Sequence, residues 1–263
     1  LGQSVSLVGT WMQYVAMSWL VYRMTGSAFM LGVVGFASQF PAFILSPFTG
    51  VLADRHNRHK ILILTQALAL LQALILATLA ISGHIQVWHI IVLGIFLGCV
   101  NSLDIPARQS FILQMIEEKE NLGNAIALNS MMFNVARLVG PSIAGILIAI
   151  AGEGACFLIN AVSYIAVIAS LIAMDNEIKI RKDKKVNYDI FKDLKEGFDY
   201  AFGFKSIRAI LLLLGIISLM GMSYAVLMPV FAKDVLGGGP HTLGFLMAAV
   251  GVGALAGTLY LAS

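Results

Sequence analysis

The sequence predicts an all-α, polytopic membrane helical bundle. Of its 263 residues, 59% are hydrophobic and only 12% are charged. The mean hydropathy of +0.88 lies well outside the range of soluble globular domains. Apolar runs of about 20 residues, the length that crosses a bilayer at about 1.5 Å per residue, recur along the whole chain. Charged residues gather in the connectors between them.

Eight spans are expected, at residues 1–22, 28–52, 60–82, 86–105, 124–150, 154–174, 208–232 and 242–263. The first lacks a basic leader and a small-residue cleavage site, so it reads as a span and not as a signal peptide. A short TGS turn separates it from the second. The second and third are joined by the charged hinge Gly50 to Leu62, GVLADRHNRHKIL. The fourth ends in NSLDIPARQ, the fifth contains RLVGPSIAG, and AGEG turns the chain into the sixth. Residues 175–207 form the one long connector, in which Ile190, Phe191, Leu194, Phe198, Ala201 and Phe202 recur at helical spacing opposite Lys192, Lys195 and Asp199. That pattern predicts an amphipathic linker helix.

Basic residues set the orientation. With Arg55, Arg58 and Lys60 in the cytoplasm, alternation puts fourteen of the seventeen Lys and Arg in cytoplasmic connectors, Arg23 and Lys233 outside, and Arg137 inside a span. This asymmetry is the positive-inside signature, and it makes the 175–207 connector cytoplasmic. The expected organisation is a six-helix bundle over 1–174, a linker over 175–207, and the first two helices of a second bundle over 208–263. SAFMLG at 27–32 and PHTLGF at 240–245 echo each other weakly, as repeated halves do in transporters. A second half of six spans would make about twelve in all, so the chain reads as a piece of a longer protein.

Several classes of function find no support in the residues. The basic residues are not arranged on a face that tracks phosphates, which argues against a nucleic-acid partner. Cys99 and Cys156 lie in apolar runs as small hydrophobes. His56, His59, His84 and His89 read as solvated loop residues, with no partners at metal-ligand spacing, so neither a metal nor another cofactor is expected. Gly237 to Gly239 lacks the lysine of a nucleotide-binding loop. No cluster of catalytic acids or nucleophiles falls within the spans, so an enzyme is not expected.

Polar residues inside the spans are the candidate site. An arginine at mid-span costs roughly 2.5–3.5 kcal/mol on insertion scales, so Arg137 is expected to face the bundle interior. Ser130, Asn134, Arg137 and Pro141 share one helical face. Ser6, Thr10 and Gln13 stripe the first span, and Gly35, Gln39, Ala42 and Ser46 the second. Gln13, Gln39, Asn134 and Arg137 are therefore the expected lining of a water-accessible cavity between bundles. Trp11, Tyr14, Trp19, Tyr164 and Tyr224 are aromatics available to such a pocket or to the membrane interface.

The hinge resembles the signature between the second and third helices of the major facilitator superfamily. Gly50, Leu52, Asp54, Arg55, Arg58 and Leu62 match it; Asn57 stands where the family usually has Gly, and Asn tolerates the left-handed turn expected there. The resemblance implies a cytoplasmic gate in which Asp104, at the base of the fourth span, pairs with Arg55 or Arg58, with Gly50, Asp54 and Arg108 beside them. Gly140, Pro141 and Gly145 match the fifth-helix motif of the superfamily's exporters, with Ala136 and Ala144 in place of two of its glycines. The phrasing of PARQSFILQMI, NAIALNS and CFLINAVSY is similar to the branch that holds the enterobactin exporter and drug efflux proteins.

What the resemblance implies is a secondary active transporter of a bacterial inner membrane, exporting a drug-like compound or siderophore by alternating access. Protons are the coupling partner it implies, and a monomer the working unit; lipid surrounds the spans. No Asp or Glu lies at mid-span, so the residues leave the coupling open. A lysophospholipid flippase of the same superfamily and a non-transporting membrane scaffold are the alternatives.

Overall fold

A computed structural model of the chain describes residues 2–115, 122–174, 196, 199–221 and 223–262. All regular structure among them is helical. The elements are α1 (Gly2–Thr25), α2 (Ala28–Arg55), α3 (Arg58–Ile81), α4 (Val87–Met115), α5 (Leu122–Ala151), α6 (Glu153–Ala173), α7 (Lys205–Gly221), α8 (Ser223–Val230) and α9 (Pro240–Ala262). A π-helical turn, Phe231–Val235, extends α8.

Local chemistry sets the boundaries. Ser27 caps α2 by accepting from the Met30 amide at 3.4 Å, and Gly152, at φ 79°, breaks the chain between α5 and α6. The hinge is shorter than expected: only His56 and Asn57 separate α2 from α3. Asn57 is not left-handed. It sits at φ −67° and caps α3, its side chain accepting from the Lys60 amide, so an Asx cap does the work expected of a left-handed turn.

Seven helical segments are long and apolar enough to cross a membrane, α7, α8 and the π turn making up one of them, Lys205–Val235. The exception to the eight expected spans is α1. It has 24 residues, but Gln3, Ser4, Ser6, Thr10, Gln13 and Ser18 lower its hydropathy, and it is enclosed by its neighbours. It packs against α5 and α6, while α3 packs against α4 and α6, and α2 against α4. Met12, Val15, Ala16, Leu20 and Val21 of α1 are buried with Leu76, Ile90, Ala144 and Phe157. By contrast, α7 exposes Ile210 through Leu214, Ile216 and Ile217. The amphipathic linker helix expected around 190–202 lies largely outside the described residues, of which 199–203 are helical.

Two prolines sit inside long helices. Pro106 does not end α4, which continues to Met115, so Asp104 and Arg108 occupy one helix and not a span and a loop. Pro106 has no N–H for the Ser102 carbonyl, and the Thr49 hydroxyl of α2 donates to that carbonyl at 2.6 Å instead. Pro141 lies in the middle of α5.

Candidate functional site

The fifth-helix motif is the seam between the six-helix bundle and α9. A Cβ on Gly145 would lie 2.9 Å from the Pro240 carbonyl oxygen and 3.0 Å from the Gly244 Cα, and one on Gly244 would lie 2.6 Å from the Pro141 carbonyl oxygen. Backbone therefore meets backbone, as small residues allow between membrane helices. Gly140 faces the other way, onto α1, where a Cβ would come within 2.6 Å of the Trp11 Cβ. The seam runs along α5 from Leu138, which Gly251 of α9 approaches, to Gly145. Below it, α5 is mostly exposed from Gly123 to Val135.

Arg137 stands where the seam gives way to the exposed part of α5. It is half-buried at the centre of the Gly123–Ala151 span, about 21 Å from either end. Its guanidinium carbon lies 5.7 Å from the Trp11 ring centroid. Trp11 meets Tyr14 and Phe133 edge-on, at 5.9 and 6.2 Å between centroids. Among the described residues no carboxylate pairs with Arg137. Asn134 is half-buried one turn earlier on the same helix, and Gln39 is exposed on α2.

Gln13 lies elsewhere, closed into the bundle at 3% exposure. It donates to Gln72 at 3.0 Å and accepts from Asn160 at 2.8 Å, while Ser163 donates to the Asn160 side chain at 3.2 Å. Gln72 in turn donates to the Leu93 carbonyl at 3.4 Å. This network ties α1, α3, α4 and α6 together. Gln72 and Asn160 escaped the sequence reading, though each is an amide inside an apolar run.

At the end of the bundle where the hinge lies, Asp104 is the hub. Its carboxylate accepts from Thr65 at 2.7 Å, Gln66 at 2.9 Å, and the Arg108 guanidinium at 2.8 to 3.0 Å. Arg108 also donates to the Gln3 side-chain oxygen of α1. Its pairing with Asp104 follows from helical spacing of four residues on a continuous α4. The side chains of Asp54 and Arg55 lie outside the described residues; Arg58 opens α3, and Gly50 is in α2. His59 is not a solvated loop residue. Its Nε2 donates to the Leu171 carbonyl of α6 at 2.7 Å, and its ring lies against Phe111.

At the opposite end, Arg23 donates to Glu153 at 2.8 and 3.2 Å, joining α1 to α6. The Tyr22 hydroxyl donates to Asp234 of the π turn, and the Lys233 ammonium lies 5.5 Å from the Tyr22 ring centroid. Among the described residues no group of three His, Cys, Asp or Glu could hold a metal ion.

Long apolar helices, buried polar hubs and a mid-span arginine define a polytopic helical membrane protein built on major facilitator lines. The chain belongs to the family described as transmembrane secretion effector, which matches residues 1–263. It is 29% identical to the staphyloferrin A transporter of Staphylococcus aureus over 97% of this chain and 63% of that protein. It is 24% identical to macrolide efflux protein A of Streptococcus pyogenes, covering 99% of this chain and 64% of the relative. Against the enterobactin exporter EntS of Shigella boydii it is 25% identical, over 98% and 61%. The chain thus spans somewhat over half the length of these curated relatives.

Proposed function

We propose that this chain supplies the first six-helix unit (1–174), the linker (175–207) and the opening helices (208–263) of a secondary transporter that exports a small molecule from a bacterial cell by alternating access. The observation that carries this is the close α5–α9 contact. Backbone packs on backbone from Leu138 to Gly145, while α5 stays exposed from Gly123 to Val135 and Arg137 stands at the boundary. With the basic connectors in the cytoplasm, the seam is the outer side, and its closure supports a form that loads from within. The Tyr22–Asp234 bond closes the same outer end.

The names of the relatives, which cite a siderophore or a macrolide, support a siderophore or drug-like compound as cargo. Arg137, Asn134 and Gln39 line the route, and Gln13 holds the bundle behind them. The cytoplasmic gate comprises Gly50, Asp54, Arg55, Arg58, Asp104 and Arg108. Asp104 is held by Arg108 in the inward-open form and turns to a hinge arginine when the gate closes. Protons drive the cycle, the protein works as a monomer in the inner membrane, and no enzymatic step is involved.

The test is efflux by the full-length protein carrying Asp54→Asn. Loss of efflux at unchanged membrane abundance is expected. Retained efflux overturns the gate.

A further inference from the structure

Among the described residues Arg137 is the charged side chain at the centre of a span, and no carboxylate there pairs with it. Asp104 has Arg108, and Glu153 has Arg23. Arg137, at the centre of its span, has only the face of Trp11. A guanidinium at that depth costs several kcal/mol unless something compensates, and a ring face compensates in part. It also presents five N–H donors in a fixed fork suited to a carboxylate.

A further feature adjoins it. Trp11, Tyr14 and Phe133 form a continuous aromatic wall through edge contacts, and Phe133 is half-exposed, so part of that wall is uncovered. Arg137 thus offers, among the described residues, a cation without a carboxylate beside a partly uncovered aromatic surface.

We propose that Arg137 and the Trp11–Tyr14–Phe133 wall form the recognition site for an amphipathic organic anion, a flat aromatic body bearing a carboxylate. The carboxylate takes the guanidinium fork, and the ring lies along the wall. This rests on the reading of the chain as a transporter and names the chemical class of its cargo. A cationic or uncharged cargo would leave Arg137 without a counter-charge at the centre of its span.

The test is equilibrium binding to the purified full-length protein in nanodiscs, read by quenching of tryptophan fluorescence. The two probes are 3-hydroxy-2-naphthoate and its uncharged amide, 3-hydroxy-2-naphthamide. The acid should bind at least tenfold more tightly than the amide. Arg137→Gln should abolish that preference by weakening the acid alone, and Arg137→Lys should keep part of it. A monodisperse, thermally unchanged Arg137→Lys protein guards against misfolding. Equal binding of acid and amide, no binding of either, or a preference that survives Arg137→Gln overturns the proposal. Transport of uncharged or cationic compounds by the same preparation would leave the transporter reading standing while the anion site falls. Arg137-dependent binding without transport of any compound would do the reverse.

Discussion

Valine at position 145 should force the outer seam apart. A Cβ there sits 2.9 Å from the Pro240 oxygen, 3.0 Å from the Gly244 Cα and 3.1 Å from the His241 Cα, all of them backbone atoms that no rotamer change can move aside. Ordinary contact between carbons begins near 3.5 Å, so even alanine displaces α9 by about 0.5 Å, and the two γ carbons of valine displace it further. Overpacking of this kind costs about 1–3 kcal/mol. Applied only to the closed form, that shifts the open-to-closed ratio about fivefold to somewhat over a hundredfold, at about 1.4 kcal/mol per factor of ten. The assay uses full-length protein with Cys99→Ala and Cys156→Ala and a reporter, Leu243→Cys, at a position fully buried beside the seam. A membrane-impermeant maleimide added outside intact cells should label the reporter at least fivefold faster with Gly145→Val, and at an intermediate rate with Gly145→Ala. Labelling within twofold of the parent, at equal expression, would refute the seam as a closing contact.

Asp104→Asn should lower unfolding stability in detergent by about 3 kcal/mol, because it strands the largely buried Arg108. Arg23→Ala, which leaves the buried Glu153 carboxylate without its partner, should cost about 1–3 kcal/mol by the same thermal melt. Asn160→Leu should cost about 1–3 kcal/mol by leaving the buried Gln13 side-chain oxygen without its partner, while Ser163 keeps its 2.7 Å bond to the backbone carbonyl of residue 160; the loss is read as an earlier midpoint of helix unfolding by circular dichroism.

The long apolar runs made most helices legible, because length and hydropathy together leave few alternatives for a stretch such as Ile61–Ile81. α1 was harder to rank, since its polar residues are satisfied by neighbours and not by water. Helical periodicity put Gln13 on a polar stripe but could not say whether that stripe faced a cavity or another helix. The Gln72 and Asn160 amides that decide the matter lie 59 and 147 residues away. The fourth span was expected to end at residue 105, beside Asp104. Only Thr49 of α2, by capping the Ser102 carbonyl, shows why α4 continues and brings Arg108 beside Asp104. The small residues of α5 marked a close contact without naming its partner, and Gly244 became that partner through tertiary packing.

Directional transport tests the central claim most directly. Inverted membrane vesicles containing the full-length protein should accumulate at least one member of a panel of siderophores, cationic drugs, aromatic carboxylates and lysolipids above empty vesicles, and a pH gradient should increase the uptake. No accumulation of any member, with the protein present and folded in the vesicles, would contradict export.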